Sequence, residues 1–138
     1  MIGFDLPFLW VKLSVTGVSD RSKVLLQISF DSVQWKTADG KTINQTPYNP
    51  SYSAIVQRIQ SGAEMGYDSI SQNPYISFFN GDDRTDNIVW YEDSRSVAAK
   101  TKLADLFGLG GVSYWRLGII PDFSGDIFLN ILNTLAGS

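Results

Sequence analysis

The chain has 138 residues, with 43% apolar and 18% charged, which is the balance of one globular domain rather than of a disordered segment. Eleven basic against fourteen acidic residues give −3, so no basic stripe exists to neutralise a phosphate backbone and nucleic acid is not expected as a partner. There is no Cys and no His. Disulfides, thiol nucleophiles, Ser-His-Asp catalysis and the usual zinc sites are therefore excluded, and neither a cofactor nor a metal is expected.

Chemistry is left to carboxylates, hydroxyls, Tyr, Lys and Arg. Aromatic residues reach 13%, which suits a ligand surface or a crowded core. No stretch approaches the roughly 18 apolar residues that span a bilayer, so no membrane partner is expected. Residues 6–15 are apolar but lack a basic leader and carry Lys12, so a signal peptide is not expected there either.

In chain order, residues 23–30 (Lys-Val-Leu-Leu-Gln-Ile-Ser-Phe) form a nearly continuous apolar run, as in a parallel strand buried on both faces. Residues 31–50 are polar, with Asp39-Gly40 as a turn and Trp35 alone among hydrophilic neighbours, and read as a long loop. Tyr52, Ile55, Val56 and Ile59 make one apolar helical face, which Asn49 can cap and Pro50 can open, with Gly62 ending it. Residues 65–79 and 87–92 then read as two strands of a hairpin around the turn chemistry of Asn80-Gly81-Asp82-Asp83.

Asp93 or Ser94 caps a second helix to about Phe107, with Ala99, Leu103 and Leu106 on its apolar face. Residues 111–117 are a short strand. A last helix starts at residues 122–124, with Phe128, Ile131, Leu132 and Leu135 at helical spacing. Strands alternating with helices mean an α/β fold with a parallel sheet. Two or three such units cannot close an eight-unit barrel, which needs about 250 residues.

Three segments carry a resemblance. Ser22-Lys23-Val24-Leu25-Leu26-Gln27-Ile28, followed by Trp35, is similar to the seventh barrel strand of family 18 glycoside hydrolases. Gly66-Tyr67-Asp68, Gln72-Asn73-Pro74-Tyr75-Ile76 and Val89-Trp90-Tyr91-Glu92-Asp93 with Lys100 resemble the small excursion inserted before that family's last unit. Leu109-Gly110-Gly111-Val112-Ser113-Tyr114-Trp115-Arg116-Leu117-Gly118 looks like the eighth strand, whose Trp floors the sugar site. The nearest branch looks like the chitinase-like and spore-cortex peptidoglycan hydrolases. The chain departs from the pattern at Gln27 and Ser29, where Gly and Pro are usual, and at Asp31, near a usual aromatic.

The resemblance implies a partial (β/α) TIM-barrel-like fragment, the last two or three β/α units, as one domain over residues 1–138. A small α+β excursion over residues 31–92 would hold a helix and a hairpin. It implies a glycan partner containing β-linked N-acetylglucosamine and an extracellular, envelope or spore setting. It makes Trp115 the floor of the sugar site; Trp35, in its polar loop, is either a second sugar platform or a Trp packed over the hairpin. Gly3-Phe4-Asp5 resembles the sixth strand's Tyr-Asp pair, with Phe4 in place of Tyr, which would put Phe4 and Asp5 at the substrate.

The family's acid and its helper aspartates come from an Asp-x-x-Asp-x-Asp-x-Glu motif, in which the substrate's acetamido group attacks the sugar. Asp83 and Asp86 supply the first two positions, but Ile88 and Trp90 occupy the next two. No catalytic residue is expected in the chain. Glu92 and Asp93 are adjacent, so in extended backbone they cannot flank one bond. Asp93 reads as a helix cap and Glu92 as a charge favouring the helix's positive end. Asp82, Asp83 and Asp86 lack calcium-loop spacing and read as a solvated turn.

The expected role is the carbohydrate-binding part of such a hydrolase; the alternative is a non-catalytic binding or assembly module from the same fold. The uncovered barrel-interior face would be buried by a second copy, which is favoured, by the excursion between Asp31 and Glu92 folding back over it, or by the remainder of a barrel. The expected interface between copies comprises Val24, Leu26, Ile28 and Val112.

Overall fold

The computed structural model describes residues 19–116. Within them stand two sheets. Strand β1 (Leu25–Ser29) pairs in parallel with β7 (Gly111–Trp115), with Leu25 opposite Gly111 and Ser29 opposite Trp115. Between them in sequence lies a five-stranded antiparallel sheet of order β3-β2-β6-β5-β4. Its strands are β2 (Val33–Ala38), β3 (Lys41–Thr42), β4 (Glu64–Asp68), β5 (Asn73–Asn80) and β6 (Thr85–Trp90). Helix α1 (Tyr52–Gln60) packs on this sheet. Helix α2 (Ser94–Leu106) packs on β1, β7 and β5. The fold is thus α/β, with a parallel pair of the barrel kind and an antiparallel excursion.

The excursion is richer in strand than its sequence suggests. The loop expected over residues 31–50 contains the β2–β3 hairpin instead. Asp39 and Gly40 both have positive φ (50° and 72°), which matches the right-handed strand twist and makes Asp-Gly a hairpin turn. Trp35 consequently stands on β2, opposite Ile88 of β6, rather than in a loop. The single strand expected over residues 65–79 is two, separated by a turn in which Asp68 accepts a 2.8 Å hydrogen bond from the Ser71 N–H.

The first helix starts at Ser51, not Asn49. The Ser51 hydroxyl accepts from the Ala54 N–H, while the Asn49 side chain is turned to Ser32, its amide donating to the Ser32 carbonyl at 2.7 Å. Tyr52, Ile55, Ile76, Val89 and Tyr91 form the core beneath it.

Residues 23–30 do not form a strand buried on both faces. Leu26, Ile28 and Phe30 are buried towards α2, whereas Leu25 is 60% exposed and Gln27 is open. The pleat explains the alternation, since successive side chains point to opposite faces. This overturns the expected interface between copies, because Leu26 and Ile28 already lie in the core. The buried face of α2 differs too. It carries Ser96, Val97, Lys100, Thr101, Leu103 and Ala104, and Leu106 is exposed. The final helix expected from residue 122 lies outside the described residues.

Candidate functional site

Trp115 ends β7 at its C-terminal edge and is 52% exposed. In-register partners of a parallel pair share a face, so Trp115 lines up with Ser29, Gln27 with Ser113, and Leu25 with Gly111. This row is opposite to α2, because Tyr114 and Ile28 occupy the helix-facing side. There the Phe30 and Tyr114 rings stack at 5.8 Å. Burial pushes the Tyr114 hydroxyl pKa up.

The backbone closes the strand ends around the Trp, with the Phe30 N–H donating to the Trp115 carbonyl at 2.6 Å. The chain then turns at Asp31, whose carboxylate accepts from the Ser29 hydroxyl at 3.2 Å. An exposed indole therefore stands beside a Ser hydroxyl and a carboxylate at the C-terminal mouth of two parallel strands. Barrel enzymes place their ligand groups at that edge. Gly110 is required for this geometry: a Cβ there would collide with the Ser22 carbonyl beside the start of β1.

Trp35 is elsewhere. It sits half-buried on the face of the antiparallel sheet opposite to α1, together with Ile88, Trp90 and Tyr75. The Tyr75 and Trp90 rings pack at 4.9 Å, and the Tyr75 ring lies over Gly66, where any side chain would strike it. The sheet thus presents an aromatic face drawn from three strands. Phe4 and Asp5 lie outside the described residues. Ser29 and Asp31 were not anticipated as site residues; Ser29 ends β1 and Asp31 follows it by two residues, and the sequence marked both only as departures from the family pattern.

The join between excursion and parallel pair is a buried polar cluster, also unanticipated. Glu92 and Lys100 side chains are 2% and 3% exposed and form an ion pair. Glu92 also accepts from Ser96 Oγ at 2.5 Å and Asn73 Nδ2 at 3.0 Å. Lys100 Nζ further donates to Asn73 Oδ1 at 3.1 Å. The Glu92 N–H donates to the Tyr52 hydroxyl at 3.1 Å, and burial pushes the Tyr52 hydroxyl pKa up. These groups tie β5, α1 and α2 together. Glu92 is therefore more than a charge favouring the helix's positive end. Asp93 is the cap, in a reciprocal box with Ser96.

The acidic turn is engaged on one side only. Asp83 pairs with Lys36 at 2.6 Å, and that bond, with one from Thr85, lowers its pKa below the ordinary 3.8. Among the described residues, no three carboxylates converge as a cation would require.

A parallel strand pair interrupted by an antiparallel sheet is the pattern of a fragment of a (β/α) barrel. The profile of "Glycosyl hydrolases family 18" matches residues 9–119, and the chain belongs to that family. The chain is 39% identical over 66 residues to a cortical fragment-lytic enzyme of Bacillus subtilis, across 48% of this chain and 15% of that protein. A crystal structure of the Bacillus cereus spore cortex-lytic enzyme SleL superposes with a TM-score of 0.65 at 24% identity, over 83% of this chain and 25% of that one. A chitinase from Chromobacterium violaceum superposes at 0.60 and 26% identity, over 84% of this chain and 34% of that one. The matched part of the chain thus spans about a seventh of the curated relative and a quarter to a third of the solved ones.

Proposed function

We propose that the chain is the C-terminal, carbohydrate-binding part of a family 18 glycoside hydrolase acting on a β-linked N-acetylglucosamine polymer, chitin or peptidoglycan. Residues 31–92 are the excursion between two consecutive barrel strands. The chain provides the floor of the sugar site and one wall, and the catalytic acid belongs to strands outside this sequence. Support for the glycan comes from the relatives, one lytic for spore cortex fragments and one a chitinase.

The observation that carries the reading is Trp115. Its exposed indole, at the strand mouth beside Ser29 and Asp31, suits the apolar face of a sugar ring with hydroxyl partners at the rim. Trp35, with Trp90 and Tyr75, is the second platform, on the wall.

The test is calorimetric titration with N-acetylglucosamine oligomers. Trp115→Ala is expected to weaken binding by about 1–3 kcal/mol, taking base stacking on aromatic side chains as the analogue. Equal affinity in a folded variant would make Trp115 a packing residue and remove the floor from the proposal.

A further inference from the structure

The face of the antiparallel sheet opposite to α1 carries charge as well as rings. Side chains alternate along a strand, and cross-strand partners share a face. Trp35 pairs with Ile88; two residues before Ile88 on β6, Asp86 pairs with Thr37 on one side and Phe79 on the other. Asp86 therefore stands on the aromatic face, one row along from Trp35 and beside Phe79, which is 62% exposed. Glu64 on β4 shares that face, because it pairs with Ser77, which in turn pairs with Ile88. Both acidic residues are exposed.

Neither charge is balanced. Among the described residues, Asp86 and Glu64 form no ion pair, and their carboxylates accept no hydrogen bond. No Lys or Arg occupies a position on this face in β2, β4, β5 or β6. Lys36 alternates to the other face of β2 and pairs with Asp83.

A ligand laid across Trp35 and Phe79 would strip water from Asp86. Under a neutral acetylated sugar the carboxylate would find hydroxyl partners at best, whereas a cation offsets the lost hydration through a charge-assisted hydrogen bond. An ammonium is also attracted to the faces of neighbouring aromatic rings. Removing the acetyl group from N-acetylglucosamine leaves such an amine on an otherwise unchanged sugar ring.

We infer that this face selects a partly de-N-acetylated form of the polymer, with Asp86 holding the ammonium of one glucosamine unit and Glu64 that of another. The inference rests on the sugar-binding reading above and names the form of glycan that the wall prefers. The polymer is partly and not wholly deacetylated, because the family's reaction uses an acetamido group on the sugar that reacts.

The experiment is calorimetric titration of the full chain at low salt and about pH 5.5, where both carboxylates are ionised. The probes are the N-acetylglucosamine hexamer, the hexamer with alternate units deacetylated, and an oligolysine of matched charge. The mixed hexamer is expected to bind at least about tenfold more tightly than either of the others, with the gap narrowing as salt is added. Asp86→Asn is expected to cut the ratio of mixed to acetylated affinity by about fivefold or more, and Glu64→Gln by less. Both changes are near-isosteric at exposed positions, so the variants are expected to melt like the parent. Trp115→Ala should weaken both hexamers alike and leave their ratio as it is. Equal affinity of the two hexamers, an unchanged ratio in Asp86→Asn, or oligolysine binding as tightly as the mixed hexamer would overturn the inference and leave the sugar site standing. Binding of neither hexamer would remove the sugar-binding reading itself, and the inference with it.

Discussion

The two sheets of this chain solve the burial problem differently. The antiparallel sheet completes its own core: α1 lies on it, and Ile55 and Ile76 are 1% and 0% exposed. Among the described residues, the parallel pair is covered on one side only. Its α2 face is closed by Leu26, Ile28 and Phe30, while its opposite face leaves Leu25 and Trp115 60% and 52% exposed. Parallel strands of the α/β type are normally covered on both faces. Under the proposed function, the closed region is scaffold and the open face is the surface that a glycan, or further barrel strands, would meet.

The largest effect is expected where the regions join. Removing Lys100 leaves Glu92 as a buried carboxylate without its counter-ion, and breaking such a pair costs about 3–5 kcal/mol. Lys100→Met should therefore lower the urea midpoint sharply. Replacing Glu92 by Leu in the same chain should recover much of the loss, because an apolar pair of similar volume is often neutral or better. A Lys100→Met variant as stable as the parent would mean that the cluster does not hold the two regions together.

A second substitution pair tests the contrast itself. Ile55→Ala removes methylenes from the closed core and is expected to cost about 2–5 kcal/mol. Leu25→Ser, on the open face, should stay within about 0.5 kcal/mol, as exposed positions do. Comparable losses in chemical denaturation would show that the open face is covered in the free chain, which would also argue against a sugar floor at Trp115.

What the sequence disclosed follows the same division. The parallel strands were legible from their apolar and β-branched runs, and the position of Trp115 on the second of them from the Gly110-Gly111 break before it. The presence of both helices was legible from spacing, and the start of α2 from its Asp93 cap, whereas α1 is capped by Ser51 and not by the expected Asn49. Strands β2 and β3 were not: Gln34, Lys36 and Thr37 make Val33–Ala38 look polar, and strand status came from pairing with β6 far along the chain. Periodicity could not reveal the buried face of α2 either. Lys100 is a core residue only because Glu92 and Asn73 arrive beside it, a contact across 27 residues in the case of Asn73. The Arg58–Phe78 stack is hidden for the same reason, since helix and strand meet only in the folded excursion. These three missed features share one cause, an environment set by a partner distant in the sequence, whereas the Ser29–Asp31 pair and the Ser51 cap are local.

The smallest expected effect lies at the distal hairpin, far from the join. Asp83 is held below its ordinary pKa of 3.8, first by the hydrogen bond from Lys36 and then by that from Thr85. A carboxylate whose folded pKa is depressed contributes stability above its unfolded value, and that contribution fades as pH falls through the folded value. The parent should therefore lose stability below about pH 4 partly through this residue. Asp83→Asn removes the titration, so its stability should fall less steeply with acid than the parent's, while at neutral pH it should be slightly less stable. The Asp83 carboxyl is open to solvent, and exposed pairs contribute little, so the difference should be a change of slope and not a separate transition. Thermal melts of both proteins between pH 7 and 3 read this directly. Parallel acid limbs would show that Lys36 and Asp83 do not hold each other in solution, leaving the hairpin tip fixed by the backbone pairing of β5 with β6 alone.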